Sequence, residues 1–358
     1  MKILWLNWRD IKNPEAGGAE VFTHEIASRL ANKRYEIELF TSQFPNCNND
    51  EEIDGVRIIR DGSKYSVYKR AERYYKSKKE NYDLIIDEIN TRPFLTPKYV
   101  KGIPILAIFH QLAREFWFYE TRFPINLFGY YYFEKKWLSY YRNIPTVTIS
   151  NSSRNDLEEM GFKEILMVPE GLKVNPLSEL KEKGSIPKII FVGRLKKAKL
   201  PHHALEAFSI IKREFEDAQM SFVGDGYLRK KLEESKIKDV TFYGRVNEEL
   251  KYQLLSRAHL ILVPGIREGW GLVVTEANAM GTPAIGYNVP GLRDSIKNEE
   301  TGILVNNNSP TELARSAISL LQKPEKLNKL SMNALGFARK FSWNATAMEF
   351  EKIIKRME

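Results

Sequence analysis

The sequence predicts an α/β protein made of two doubly wound parallel sheets in tandem. Three observations carry this. Short apolar runs alternate with helical patterns over residues 2–168, the alternation restarts after residue 185, and the stretch between, Glu170 to Ile186, is polar and interrupted by Pro176 and Gly184. At 358 residues with 43% apolar side chains, the chain is long enough to fill two cores. The predicted limits are 1–169, 170–340 and a last helix over 341–358.

In chain order, residues 2–6 (K-I-L-W-L) form the first strand, and Ala19 to Leu30 has helical spacing with Val21, Phe22, Ile26, Ala27 and Leu30 on one face. Gly17-Gly18 opens that helix, where small residues let a ligand approach the backbone and leave amides free for an anion. Further strands are expected at Glu36–Thr41, Val56–Ile59, Asp83–Ile86, Pro104–Phe109, Thr146–Ile149 and Ile165–Val168. The second half gives Lys188–Val192, Met220–Val223, Val240–Tyr243, Leu260–Val263, Ala284–Gly286 and Ile303–Val305, each before a turn and a helix. Two such layers joined by a short linker place a cleft between them. Residues 310–340 read as two helices, and Ser342 as the N-cap of a last one anchored by Trp343.

The chemistry concentrates in Pro264–Ala279, P-G-I-R-E-G-W-G-L-V-V-T-E-A-N-A. Pro264 and Gly265 stop the strand before it, Leu272 to Met280 reads as a helix closed by Gly281, and Glu268 and Glu276 fall in the loop and on the helix. Free amides at Gly269, Trp270, Gly271 and Leu272 suit a phosphate, and the two acids suit hydroxyls. A nucleotide sugar offers both. Taken singly, each acid is equally a solvated loop or helix residue. After the strand ending at Val192, Gly193 opens a loop in which Arg194 and Lys199 both suit a diphosphate leaving group. Lys196 and Lys197 read as an ordinary solvated run. Gly224 in Val223-Gly224-Asp225-Gly226 reads as a turn for close ligand approach. The backbone of Arg245 and Val246 is placed to meet a nucleobase edge, with a plain turn as the competing reading.

The net charge of +9 divides as 25 Lys and Arg against 23 Asp and Glu in residues 1–168, and 30 against 23 in 169–358. Most of the excess lies in the second half, as a phosphate-rich ligand there would require and as a basic soluble surface would equally give. Dispersed charge without a basic recognition helix excludes a nucleic-acid binder. No apolar run approaches the roughly 20 residues of a membrane span, and the N-terminus turns polar too early for a signal peptide. The expected location is cytoplasmic, or peripheral on the cytoplasmic membrane face. Cys47 is the single cysteine, so no internal disulfide is expected, and no metal site or cofactor either.

Residues 116–141 hold 13 aromatics in 26 positions, with Arg122, Lys135 and Lys136 among them. Residues 64–79 carry seven Lys and Arg against Glu72 alone. Aromatics beside bases favour an anionic membrane interface or a polyprenyl-linked acceptor, while a core helix with an aromatic loop accounts for about half of the aromatic segment and a solvated helix face is the more ordinary account of 64–79.

These pieces, G-G-A-E at 17–20, His110 after the strand 104–109, V-G-R-L-K-K-A-K at 192–199, G-D-G at 224–226, F-Y-G-R-V at 242–246 and R-E-G-W-G-L-V-V-T-E-A at 267–277, resemble the retaining glycosyltransferases of family four, the glycosyl transferases group 1 with the GT-B fold of two Rossmann-like domains. The resemblance covers nearly the whole chain. It implies metal-independent transfer of a hexose from a nucleotide sugar, UDP favoured over GDP, to a glycan or lipid-linked acceptor. Attack on the front face is implied, with the leaving phosphate taking the acceptor proton. By the same resemblance Glu276 binds the donor ribose, Glu268 the sugar hydroxyls, Arg194 and Lys199 the diphosphate, Gly18 a phosphate from the first domain, and His110 the donor sugar. V-P-E-G-L departs from the pattern by placing Glu170 where the family often has Asn. Two other functions fit the same residues: a sugar-nucleotide hydrolase or epimerase on this fold, and a nucleotide-sugar or glycan-binding protein without turnover.

Overall fold

The computed structural model describes residues 1–78 and 82–357. They form two compact units, Met1–Trp117 and Arg122–Gly171 with Ser342–Glu358 in one, and Phe118–Thr121 with Leu172–Phe341 in the other. These differ from the limits read in the sequence by Glu170, Gly171, Phe341 and the Phe118–Thr121 segment.

The first unit contains, in order, β1 (Lys2–Leu6), α1 (Gly18–Ala31), β2 (Glu36–Thr41), β3 (Asp50–Ile53), β4 (Val56–Arg60), α2 (Val67–Lys78), β5 (Leu84–Ile89), β6 (Ile105–Phe109), α3 (Phe116–Glu120), α4 (Ile125–Phe128), α5 (Glu134–Leu138), β7 (Thr146–Thr148), α6 (Asn151–Glu159) and β8 (Ile165–Met167). Its eight strands run in the order β3-β4-β2-β1-β5-β6-β7-β8. Every pair is parallel except β3 with β4. The chain places β2 on one side of β1 and β5 on the other, so the order reverses there, and loops leaving the carboxyl ends of β1 and β5 flank a crevice.

Two differences from the sequence reading matter. The strand expected at 83–86 continues to Ile89 and takes Asp87 and Glu88, both without solvent exposure, into the sheet. The second is β3, D-E-E-I, an edge strand with no apolar alternation to reveal it. Its Glu51 accepts a hydrogen bond from Arg60 at 2.5 Å, and Arg60 holds Asp10 through two bonds of 2.7 and 2.9 Å. Lys12 also reaches Glu51, at 2.5 Å. The hairpin therefore braces the loop that leads to Gly17.

The second unit contains β9 (Lys188–Val192), α7 (Pro201–Glu214), β10 (Gln219–Val223), α8 (Arg229–Glu233), β11 (Val240–Gly244), α9 (Glu248–Arg257), β12 (Leu260–Val263), α10 (Leu272–Ala279), β13 (Ala284–Tyr287), α11 (Leu292–Ser295), β14 (Gly302–Val305), α12 (Pro310–Leu321) and α13 (Pro324–Ala338). Its six strands are all parallel, in the order β11-β10-β9-β12-β13-β14. The reversal lies between β9 and β12. β12, L-I-L-V, is buried throughout, as a strand covered by helices on both faces must be.

The final helix, α14 (Trp343–Lys355), belongs to the first unit. Phe350 stacks on Trp5 with ring centroids 5.5 Å apart, and Phe22 meets the edges of both Trp343 and Phe350. Trp343 is 3% exposed and covers Gly171, where an added Cβ would lie 2.2 Å from the indole. Ser342 occupies the N-cap position, but contrary to the sequence reading its side chain makes no cap bond; its carbonyl instead accepts from Thr346.

Candidate active site

In the second unit the charged residues singled out in the sequence sit at the strand-order reversal. The loop after β9 and the loop after β12 are joined by a hydrogen bond from Ile266 N to Ala198 O at 3.0 Å. This brings Lys199 Nζ to 2.5 and 2.6 Å from the two oxygens of Glu268. Their side chains are 24% and 12% exposed, shielded but within reach of water. Arg194, half-buried in the same loop, makes no side-chain hydrogen bond or ion pair among the described residues. An Arg fork without a carboxylate partner beside a Lys is a ready acceptor of phosphate oxygens.

The loop carrying Glu268 leads straight into α10. Gly271 caps the helix at φ +92°, a left-handed conformation that glycine adopts without strain. Among the described residues, the amides of Gly269, Trp270, Gly271 and Leu272 donate to no backbone carbonyl. Gly271 and Leu272 are among the donors a helix start leaves open, and Gly269 and Trp270 precede them in the loop. Trp270 is held by an edge contact to Phe341 at 5.4 Å. Glu268 N is fixed by Pro290 O at 3.0 Å, and Gly291 packs so close that an added Cβ would stand 2.1 Å from Glu268 O.

Glu276, on the body of α10, accepts from Lys251 Nζ at 2.7 Å and faces the Tyr252 hydroxyl at 3.5 Å. Burial and the Glu276 charge push the Tyr252 hydroxyl well above its usual range, so it stays a donor. Both partners lie on α9 and were not anticipated. The motif E-E-L-K-Y-Q carries no mark of them, because the pairing is made between two helices 24 and 25 residues apart in sequence.

Gly224 has a structural cause beside the ligand role expected of it and of Gly193. A Cβ on Gly224 would lie 2.0 Å from Gly193 O, and one on Gly226 2.4 Å from Leu195 O. The close approach these glycines permit is between two protein loops. Arg245 is exposed after Gly244, whose carbonyl accepts from Gly224 N at 2.8 Å, and Val246 packs on the core.

In the first unit, Gly17 caps α1, but its N–H already donates to Glu20 at 2.6 Å, and Glu20 in turn pairs with Arg9 at 2.9 Å. The amide expected to serve an anion is thus engaged, and the acid of G-G-A-E explains why. Gly18 is the first residue of the helix. His110, 6% exposed, lies at the end of β6 with Nε2 3.0 Å from Glu88 Oε1 and Nδ1 3.8 Å from Glu170 Oε1. Its ring meets Phe22 edge-on at 4.9 Å, and its carbonyl accepts from Ser153 at 2.9 Å. Burial disfavours the charge on the ring, but the Glu170 and Glu88 carboxyls outweigh it and push His110 up to about 10. Burial likewise pushes the Glu170 carboxyl above its ordinary value. Glu88 and Glu170 were missed as site neighbours. An acid inside the apolar run L-I-I-D-E-I was the signal for the first, since buried acids require partners.

The aromatic segment divides in two. Trp117 and Tyr141 are core: Glu134 accepts from Trp117 and from the amides of Ala113 and Arg114, and the Tyr141 hydroxyl donates to Asp87 at 2.5 Å. Phe123, Phe128, Tyr131 and Tyr132 are exposed by 77%, 56%, 61% and 57%, beside exposed Arg122, Lys135 and Lys136. Arg92 lies over the rings of both Tyr68 on α2 and Trp137 on α5, at 4.3 and 6.0 Å. It links the aromatic segment to the basic helix. Lys79, the last of that basic run, is outside the described residues. Among the described residues no helix is long and apolar enough to cross a membrane.

Comparison with known proteins adds three results. Residues 16–175 match the family model "Glycosyltransferase Family 4" and residues 178–336 match "Glycosyl transferases group 1". D-inositol 3-phosphate glycosyltransferase of Thermobispora bispora is 24% identical over 95% of this chain and 90% of its own. An uncharacterized glycosyltransferase of Methanocaldococcus jannaschii is 25% identical over 59% of each chain. Among solved structures, sucrose-phosphate synthase of Thermosynechococcus elongatus has a similar fold (TM-score 0.81, 21% identity, 99% of this chain and 98% of that one). So does HepE of Anabaena in complex with UDP-glucose (TM-score 0.75, 15% identity, 99% and 100%).

Proposed function

Since the chain belongs to the GT-B glycosyltransferases, family four in its first half and group 1 in its second, we propose that it transfers a hexose from a nucleotide sugar with retention of anomeric configuration and without a metal ion. The observation that carries this reading is the unpartnered Arg194 in the loop that also sets Lys199 against Glu268, on the two strands flanking the sheet's reversal. In this reading the second unit binds the donor. The α10 amides and Arg194 take the diphosphate, Glu276 the ribose and Glu268 the sugar hydroxyls. Lys199 gives up part of its bond to Glu268 as the leaving group becomes charged. The first unit contributes Gly18 and His110 and takes the acceptor. The leaving phosphate accepts the acceptor's proton, so the protein works by positioning and charge.

A UDP-sugar is the first donor to test, and a glycan or lipid-linked glycan the acceptor class. The exposed aromatics of 123–132 with Arg122, Lys135 and Lys136 fit an anionic lipid surface, which would present a lipid-linked acceptor and hold the enzyme at a membrane's cytoplasmic face. Thermal-shift measurement with UDP-, GDP- and ADP-sugars tests the donor, since a ligand of the folded state raises its stability. Sugar release that needs no acceptor would replace transferase with hydrolase. Co-sedimentation with anionic against zwitterionic vesicles, repeated with Phe128→Ser and Tyr132→Ser, tests the surface. Equal binding to both vesicle types or unchanged binding by the variants would remove it.

A further inference from the structure

His110 stands between two buried acids from distant parts of the first unit. Glu88 comes from the middle sheet strand β5, and Glu170 from the turn after β8 that Trp343 clamps at Gly171. Glu88 acts only as an acceptor: its Oε2 takes bonds from Trp5 Nε1 at 2.8 Å and Thr23 Oγ1 at 2.5 Å, and its Oε1 faces His110 Nε2 at 3.0 Å. The indole N–H of Trp5 can only donate, and a protonated Nε2 would give Glu88 Oε1 a donor as well. On the other side, His110 Nδ1 and Glu170 Oε2 are buried and have no hydrogen-bond partner among the described residues. Nδ1 lies 3.8 Å from Glu170 Oε1.

We propose that Glu88 and Glu170 are positioning residues that keep the His110 imidazole doubly protonated, so that the ring never acts as a base. Besides the two acids, α1 brings Phe22 to the ring edge and Thr23 to Glu88, and α6 brings Ser153 to the His110 carbonyl. A histidine so held cannot remove the acceptor's proton. Transfer of that proton is left to the leaving phosphate.

The inference rests on the place proposed for His110 in the site, but its first test is independent of catalysis. Nitrogen NMR of the 15N-histidine-labelled full chain, with His110 assigned by loss of its signal in His110→Asn, reads the ring directly. Expected is an imidazolium, with both nitrogens protonated, that persists through pH 9 and loses its proton only near 10. In Glu170→Gln the ring should titrate at least one pH unit lower, and in Glu88→Gln lower still, with Glu170→Asp restoring most of the shift. The alkaline limb of kcat/KM should move with the ring in each variant. A wild-type ring that titrates near 6.5, or a Glu170→Gln ring that titrates unchanged, overturns the proposal. Should Glu88→Gln fail to fold, Glu170→Gln decides alone. If the ring behaves as expected but no sugar is transferred, the transferase reading fails and the inference stands.

Discussion

The acids of the two units are held in opposite ways. In the second unit, Glu268 and Glu276 are each matched to a lysine on a flexible stem, with side chains 12% to 24% exposed. In the first unit, Asp10, Asp87, Glu88 and Glu170 are almost wholly buried and are met by Arg60, Tyr141, Trp5, Thr23 and His110 from separate elements. A pair near water costs little to break and can exchange its partner for a ligand. A buried one cannot be opened without stranding a charge. The first kind suits groups that touch a substrate. The second suits groups that fix geometry and protonation.

The largest effect expected from this contrast is on stability. Asp10→Ala leaves Arg60 buried with half its partners and should lower the unfolding free energy by about 3–5 kcal/mol in urea titration. A loss under 1 kcal/mol would show that buried pairs here are not structural. Next comes Arg194→Ala, expected to lower kcat/KM about 10²–10³-fold, as loss of one charge-stabilising donor does, with the melting temperature unchanged. Normal turnover would remove Arg194 from the site. Glu276→Gln should weaken donor affinity roughly 10- to 100-fold, corresponding to a lost hydrogen bond to a charged group, with kcat less affected. The smallest change in stability is for Lys199→Met, about 1 kcal/mol or less, although transfer slows. A larger destabilisation would make the Lys199–Glu268 pair structural and end the contrast.

The same contrast appears with pH. Because His110 is raised above its unfolded value of about 6.5, its contribution to stability is complete below that pH and is lost as pH rises through about 10. Thermal melting across pH 6 to 10.5 should therefore show a decline that His110→Asn flattens.

Both sheets were legible in the sequence, because parallel strands buried on two faces appear as short apolar runs and the reversals follow from their order. The position of Glu268 in a loop and Glu276 on a helix was legible from Pro264, Gly265 and Gly281. What escaped depends on contacts between distant residues. Asp50–Ile53 pairs as a strand only because β4 lies beside it. Lys251 finds Glu276 across helices, and Glu170 finds His110 across 60 positions of sequence. The glycine at 224 carries a signal of another kind: its type marks tight approach, and one such approach is to another loop.

One consequence concerns synthesis. Trp5 and Phe22 emerge from the ribosome early, while Trp343 and Phe350, which cover them, come near the end of the chain. At about 5–20 residues per second, making Leu172–Phe341 takes roughly 10–35 s. Through that interval the nascent first unit presents a bare aromatic face. Chains arrested at Phe341 should hold a first unit that chaperones recognise, and emergence of α14 should end that recognition.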